Sequence, residues 1–188
     1  MSSATELTPD QVRTRLAEFT VIDVRTPGEY ASGHLAGAHN IPLDLLDAAL
    51  DALRAAAGRG DLLVVCASGA RSAQARERLA EHGVPAVTLS GGTGNWTRLG
   101  HDLHRPAGAR PVWAMERQVR LAAGSLVLVG LLAGRRWTAA RWLSAGVAGG
   151  LVFSAVTDTC GMARVLAKLP HNQPRATDLD ATLTALGG

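Results

Sequence analysis

The sequence predicts an α/β domain with a central, mainly parallel sheet, followed by an α-helical transmembrane hairpin. Three short apolar runs, residues 20–24, 62–65 and 86–89, have the length and composition of buried strands. Helical stretches separate them, and strands that alternate with helices form mainly parallel sheets. Two longer uncharged runs, residues 121–134 and 142–157, come later in the chain. We therefore expect a globular first part and a second part that lies in a lipid bilayer.

Capping and breaking residues delimit the helices of the first part. Thr8 can cap a helix, and Gln11 completes the capping box. Residues 43–57 and 72–82 have helical character, and glycine follows each stretch. These elements predict one α/β domain over residues 5–103.

The second part begins after a predicted linker, residues 104–111, which contains two prolines and a glycine. Each uncharged run falls short of the roughly 20 residues that span hydrocarbon, but flanking arginines can snorkel to the headgroups. Trp137 and Trp142 border the connecting turn, where interfacial aromatic residues belong. A soluble helical hairpin is the alternative, but it would need polar faces that these runs lack. We predict a membrane hairpin over residues 112–170 and a C-terminal tail over residues 171–188.

Small residues recur at helical spacing in both membrane runs. Gly130 and Gly134 form one small-xxx-small pair, and Gly146 and Gly150 form another. Such pairs let helix backbones approach closely. We therefore expect each helix to have a face suited to packing against another helix.

Charge is unevenly divided along the chain. Residues 1–110 carry 11 Arg against 12 Asp and Glu, whereas residues 111–188 carry 8 Lys and Arg against 4 Asp and Glu. The positive excess therefore flanks the apolar runs, which suits lipid headgroups better than nucleic acid. The first domain has no basic stripe of the kind that binds nucleic acid, so we expect no such partner.

The cysteine content argues against metal sites and a structural disulfide. Cys66 and Cys160 are the two cysteines, and no CxxC occurs. Zinc and iron–sulfur sites would therefore lack ligands, and we expect no metal. The polar N-terminus has no basic start followed by an apolar run, so we expect no secretory signal and a cytosolic first domain.

Cys66 lies where a predicted buried strand passes into a predicted helix. This is the carboxyl end of a strand, where α/β sheets bind ligands. Loop N–H groups and the helix N-terminus can surround an anion, and a cysteine at the centre is expected to react as a thiolate. A guanidinium at the end of the loop adds a fixed positive charge with the geometry to bind an oxyanion. The predicted site consists of the catalytic Cys66 and the substrate-binding residues Ala67, Ser68, Gly69, Ala70 and Arg71.

Four motifs, in order, resemble those of the rhodanese family. They are VIDVRTPGEY at residues 21–30, GHLAGAHNIP at residues 33–42, the loop at residues 66–71, and the segment at residues 89–96. The resemblance covers residues 5–103. It implies a five-stranded parallel sheet and a sulfurtransferase that carries sulfur as a persulfide on its loop cysteine.

The second part resembles the membrane hairpin of bacterial inner-membrane rhodaneses, through residues 116–120 and 160–164. That resemblance implies a cytoplasmic rhodanese domain, two transmembrane helices in the inner membrane, and a homodimer through the helices. Two spans place both termini on one side, and the lack of an export signal predicts that this side is the cytosol. The chain departs from the usual pattern at Ala67, where many rhodanese loops carry a polar or basic residue. Asp158, an acid near the end of the second apolar run, is another departure.

The resemblance implies a two-step sulfur transfer that needs no cofactor beyond the covalent persulfide. Cys66 would take the outer sulfur of a donor such as thiosulfate, and a small acceptor such as cyanide, or a thiol, would remove it. A cysteine phosphatase is the rival enzyme, but its loop has five residues between Cys and Arg, whereas this loop has four. A membrane-bound persulfide carrier, or a sulfide or redox sensor without rapid turnover, would use the same loop and is the second alternative.

Other polar residues are predicted to have structural roles. Asp23 and Arg25 are expected to pair and fix the adjacent turn. Glu29 and His34 resemble positional residues of the rhodanese fold, not acid–base catalysts. Cys160 is interpreted as a small helix-end residue, although a sulfur relay is the alternative. The other histidines are expected at the surface: His39, His82, His101, His104 and His171.

Overall fold

A five-stranded, entirely parallel sheet forms the centre of the first part of the chain. The computed structural model describes residues 5–105, 113, 115–157, 161–167, 169 and 176–187. The strand order is β1-β5-β4-β2-β3, and every pair is parallel. The strands are β1 Glu6–Leu7, β2 Phe19–Asp23, β3 His39–Asn40, β4 Asp61–Val65 and β5 Ala86–Leu89. The predicted central parallel sheet is confirmed. The apolar runs did not predict the two edge strands, β1 and β3, which are only two residues long.

Helices connect and cover the strands. Those of the first part are α1 Pro9–Arg15, α2 Pro27–Ala31, α3 Leu50–Ala57, α4 Ala70–Glu81 and α5 Gly92–Arg98. Thr8 and Gln11 form the predicted capping box of α1. The stretch predicted as one helix over residues 43–57 is instead two 3-10 turns followed by α3. These turns let the chain fold back onto the sheet edge, where Leu46 is fully buried.

Apolar side chains alternate between two cores, one on each face of the sheet. Ile22, Leu62 and Val64 belong to one cluster, whereas Val21 and Leu63 belong to the other. This alternation follows from the two-residue period of a strand. A parallel sheet covered on both faces is rigid at the carboxyl ends of its strands, and Cys66 follows the end of β4.

The C-terminal segment belongs to the same compact unit as the sheet. One unit comprises residues 1–112 and 173–188, and the other comprises residues 113–172. Helix α9, Ala176–Gly187, packs against α3, and Leu186 is 2% exposed within the cluster that contains Ile22. The Arg59 guanidinium donates a hydrogen bond to the carbonyl oxygen of Leu186. The residues expected to form a tail therefore include a helix that completes the core.

The second unit contains two antiparallel helices, α6 Met115–Ala133 and α7 Arg141–Thr157, and a shorter helix, α8 Gly161–Ala167. Ser144 of α7 donates to the carbonyl oxygen of Val127 in α6, at 2.9 Å. Gly130 lies directly against Ser144, so the first small-residue pair packs within the hairpin. A Cβ added at Gly146 or Gly150 would meet no atom within 4 Å, so the second pair has no close packing partner among the described residues. Both glycines line an open concavity together with Gly161 and Met162 of α8.

The segment Thr138–Thr157 is 20 residues long with a mean hydropathy of 1.3, which is long and apolar enough to cross a membrane. Only 6% of it is buried, unlike a core helix of a soluble protein. Among the described helices, this is the one that meets the length and hydropathy requirement. Helix α6 has three charged residues near its start, which lower its mean hydropathy.

Candidate active site

The loop between β4 and α4 folds around the sulfur of Cys66. Cys66 is fully buried, and the backbone N–H groups of Gly69 and Ser72 point at its Sγ, at 3.1 and 3.3 Å. Gly69 has φ 107°, a left-handed conformation that costs glycine little and lets the loop reverse direction before α4. The predicted anion-binding loop is therefore formed by backbone donors that converge on the sulfur atom.

Ser72 is a member of the site that the sequence interpretation missed. Its hydroxyl donates to the carbonyl oxygen of Gly69 at 2.8 Å, and it lies 3.5 Å from Cys66 Sγ. The side chain is fully buried. Its position directly after Arg71, in the first turn of α4, was the available signal.

A second loop, between β5 and α5, supports the first from behind. The N–H of Thr93 donates to the carbonyl oxygen of Cys66 at 2.8 Å. The N–H of Gly94 donates to the carbonyl oxygen of Ala67 at 2.9 Å. Gly92 has φ 59°, and a Cβ there would come within 2.7 Å of the Ala67 carbonyl carbon. The two loops therefore fix each other's backbone at close range.

Arg71 is engaged by a buried carboxylate. Its two terminal nitrogens donate to the two carboxylate oxygens of Glu29, each at 2.9 Å. Glu29 is 2% exposed and also accepts hydrogen bonds from the N–H and hydroxyl of Thr26, both at 3.0 Å. Burial by itself lowers the pKa of Arg71. The hydrogen bond and the charge of Glu29 raise it, with smaller contributions from Cys66 and Asp23, and the net effect is a raised pKa. The expected oxyanion-binding arginine is thus a charged group already paired with an acid.

Asp23 and Arg25 form the ion pair that the sequence predicted. The guanidinium of Arg25 donates to both carboxylate oxygens of Asp23, at 2.6 to 3.0 Å, and also to the carbonyl oxygen of Gly33. The Asn40 amide donates to the carbonyl oxygens of both residues. These contacts tie the end of β2 to the following turn.

The contacts of His34 fit the structural role that the sequence analysis expected for it. Its ring stacks on Tyr30 at a centroid distance of 3.7 Å, and its Nδ1 lies 3.0 Å from the Tyr30 carbonyl oxygen. Burial is the main cause that lowers the pKa of His34. The ring of His104 meets it edge-on, and the two backbones exchange hydrogen bonds. His34 therefore closes the end of the domain and does not point at Cys66.

The remaining candidate residues divide into described and undescribed ones. His82 and His104 are exposed, whereas His39 and His101 are partly buried. Burial lowers the pKa of His39. The predictions for Asp158, Cys160 and His171 concern residues outside the described part of the chain.

Two family models match the chain. Residues 8–99 match the family model of the Rhodanese-like domain. Residues 114–175 match the family model of the transmembrane domain of YgaP-like inner membrane proteins. The uncharacterized protein slr1261 of Synechocystis is 37% identical over 155 residues, which cover 81% of this chain and 84% of that protein. A sulfurtransferase of Allochromatium vinosum is 32% identical over 107 residues, which cover 55% of this chain and 97% of that protein.

A solved structure matches the first domain. The rhodanese-related protein of Thermoplasma volcanium is 30% identical with a TM-score of 0.50, over 54% of this chain and 98% of that one.

Proposed function

This chain belongs to the rhodanese-like sulfurtransferase family and carries a YgaP-like transmembrane domain, and we propose that it moves sulfane sulfur through a persulfide on Cys66. The observation that supports this proposal most directly is the pair of N–H groups, from Gly69 and Ser72, aimed at Cys66 Sγ. Hydrogen bonds to a charged acceptor stabilise it more strongly than a neutral one. The loop therefore places two N–H donors where an anionic sulfur, first the thiolate and then the persulfide, can accept their hydrogen bonds.

In the first step, the Cys66 thiolate attacks the outer sulfur of a donor such as thiosulfate. A new S–S bond forms at Cys66 while the donor's S–S bond breaks, and sulfite leaves with the electron pair. Because Cys66 is fully buried, the transferred sulfur would lie beside the loop N–H groups and away from bulk water.

In the second step, an acceptor such as cyanide or a thiolate attacks the outer persulfide sulfur. The S–S bond to Cys66 breaks and its electron pair returns to Sγ, which restores the thiolate. Each step exchanges one bond to sulfur for another, so the proposed cycle requires no metal, cofactor or external oxidant.

We further propose that the protein crosses the inner membrane twice and keeps its rhodanese domain in the cytoplasm. The YgaP-like domain gives the inner-membrane location, and α9 supports an even number of crossings. Leu186 of α9 lies in the same core cluster as Ile22, so the chain on both sides of the membrane segment builds one domain. A single crossing would separate these parts by a bilayer. At 19 residues, α6 is about 28 Å long, close to the roughly 30 Å of hydrocarbon.

The mass of the intact protein after incubation with a sulfane-sulfur donor tests the proposed chemistry. We expect the wild type and Cys160→Ser to gain one sulfur atom that cyanide removes, and we expect Cys66→Ser to gain none. A gain of sulfur in Cys66→Ser would contradict the assignment. Repeated turnover with excess donor and cyanide supports an enzyme, whereas a single round of loading supports the carrier or sensor alternative.

A further inference from the structure

The loop that holds Cys66 has little net positive charge to offer a donor. Arg71 is its cationic residue, and the other loop positions are Cys66, Ala67, Ser68, Gly69 and Ala70. Both terminal nitrogens of Arg71 are bound to Glu29, whose side chain is 2% exposed. The charge of the guanidinium is therefore largely cancelled at 2.9 Å by a carboxylate.

Glu29 is held in place and cannot turn away to release Arg71. Its Oε2 accepts from the N–H and hydroxyl of Thr26 as well as from Arg71, in the capping box at the start of α2. Removing Arg71 from Glu29 would leave a buried carboxylate without its cation, which is strongly unfavourable. The ion pair is therefore expected to persist when a donor enters.

The second arginine near the loop is also neutralised. Arg25 binds Asp23 through both carboxylate oxygens, and both side chains are buried. The two ion pairs, Arg71 with Glu29 and Arg25 with Asp23, therefore add no net charge near the loop. The attraction for an anion comes from the backbone N–H groups, which supply partial charges.

We propose that the site selects sulfane-sulfur donors that carry at most one negative charge at the reacting end, such as organic persulfides and thiosulfonates, over the dianion thiosulfate. This inference rests on the proposed persulfide chemistry of Cys66. Within the loop at residues 66–71, a dianion that approaches the Cys66 thiolate meets a like charge, and the loop's cation, Arg71, is already paired with Glu29. A neutral or singly charged donor meets a weaker repulsion.

The step with an organic persulfide balances in the same way as the step with thiosulfate. The Cys66 thiolate attacks the terminal sulfur of R–S–SH, an S–S bond forms at Cys66, and the donor's S–S bond breaks. The electron pair leaves on RS⁻, which takes up the proton of the transferred sulfur. The products are the Cys66 persulfide anion and a thiol.

Two donors of similar structure and different charge test the inference. Thiosulfate carries two negative charges, whereas methanethiosulfonate carries one and transfers its outer sulfur with methanesulfinate as leaving group. For the detergent-solubilised full-length protein, we expect a kcat/KM for Cys66 loading at least about tenfold higher with methanethiosulfonate. We also expect added salt to raise the rate with thiosulfate, because screening reduces repulsion between like charges.

Variants at Ala67 assign the preference to charge. Ala67→Arg adds a cation to the loop, and Ala67→Gln is the uncharged control of comparable length. We expect the ratio of thiosulfate to methanethiosulfonate kcat/KM to rise about tenfold in Ala67→Arg relative to Ala67→Gln, mainly through a lower KM for thiosulfate. Equal ratios in the two variants would overturn the charge argument.

Glu29→Gln provides a second readout, because it removes the carboxylate and keeps a hydrogen-bonding side chain. If the protein folds, we expect thiosulfate loading to improve relative to methanethiosulfonate, whereas a purely structural role would weaken both donors alike. If it does not fold, the Ala67 pair decides. Equal or better loading with thiosulfate in the wild type overturns the inference alone, and failure of every donor to load Cys66 overturns the proposed function instead.

Discussion

The backbone geometry around Cys66 depends on two glycines, which have no side chain that could take part in the reaction. Gly69 reverses the loop at φ 107°, so that its N–H can reach the sulfur. Gly92 approaches the backbone of Cys66 and Ala67 so closely that a methyl group there would overlap them. The reactive geometry is thus set by backbone contacts, and the side chains add to it.

A methyl group at Gly92 should therefore disturb the loop more than the same change elsewhere. Gly83 is a matched control, since it also has a positive φ, 71°, but no atom lies within 4 Å of an added Cβ. We expect Gly83→Ala to lower the free energy of unfolding by about 1 kcal/mol. Gly92→Ala should cost about 2 kcal/mol more, because the methyl group must displace packed backbone.

Denaturant unfolding of the detergent-solubilised protein measures the stability difference, and the rate of Cys66 persulfide loading measures the effect on the site. We expect loading to be normal in Gly83→Ala and at least about tenfold slower in Gly92→Ala. Similar losses in both variants would show that the conformational preference of glycine, and not the close contact, is what matters at Gly92.

Helix α9 has a role in the core of the first domain that its position in the sequence does not suggest. It follows the membrane segment, yet it packs on α3 and buries Leu186 among side chains of the first domain. Leu183, one turn earlier, also contacts this cluster. The first domain therefore needs a segment that lies at the far end of the sequence.

Truncating Leu186 should destabilise the rhodanese domain although the residue lies after the membrane segment. Leu186→Ala leaves a cavity in the core, and we expect a loss of about 2–4 kcal/mol in the free energy of unfolding. Leu99→Ala is the control, because Leu99 is 50% exposed, and we expect a change below about 0.5 kcal/mol. Equal effects of the two changes would mean that α9 does not complete the core.

Helix α7 has a small-residue face that its own hairpin leaves open. Gly130 of α6 packs against Ser144, whereas Gly146 and Gly150 have no atom within 4 Å of an added Cβ and line an open concavity. We propose that this open face binds a second copy of the chain in the membrane, since small residues allow close approach of helix backbones.

Gly146→Leu should then weaken the homodimer, because the larger side chain keeps the two α7 helices apart. Ala145→Leu is the control: Ala145 is also exposed, but it lies about 100° around the helix from Gly146 and about 140° from Gly150. Energy transfer between labelled copies in liposomes measures association. We expect at least about tenfold weaker association for Gly146→Leu than for Ala145→Leu, and equal association would contradict this interface.

At the scale of the whole molecule, the second unit lies in the sequence between two parts of the chain that build one unit. Residues 1–112 belong to that first unit, and α9 belongs to it again. The turn between α6 and α7 contains Arg135 and Arg136, and Arg141 begins α7, so arginine count by itself gives a weak indication of orientation. The return of α9 to the domain is the stronger argument that both ends of the hairpin lie on one side.

Cysteine labelling tests this orientation in a Cys66→Ser, Cys160→Ser background. We expect Thr138→Cys, in the turn, to react with an impermeant maleimide on spheroplasts, because the proposed topology places the turn outside the cytoplasm. Ala185→Cys, on the exposed side of α9, should react only after lysis. The reverse pattern would contradict a cytoplasmic domain, and labelling of both sites before lysis would contradict an even number of crossings.

The sequence by itself was sufficient for features that depend on local patterns. The apolar runs predicted the three central strands within one residue, and Thr8 with Gln11 predicted the capping box of α1. The loop at residues 66–71 could be recognised because its glycine, cysteine and strand-to-helix position are close together in the chain. The pairing of Asp23 with Arg25 was also predictable, since the partners are two positions apart in the sequence.

Only the tertiary structure decided contacts between residues that are distant in the sequence. Glu29 and Arg71 are 42 residues apart, and their ion pair places a buried carboxylate against the guanidinium that the sequence suggested as an oxyanion ligand. Leu186 enters the core through α9, and the edge strands β1 and β3 are too short to show a period. In each case the deciding energy comes from burial beside a partner that the fold supplies, and no local pattern of residues records that partner.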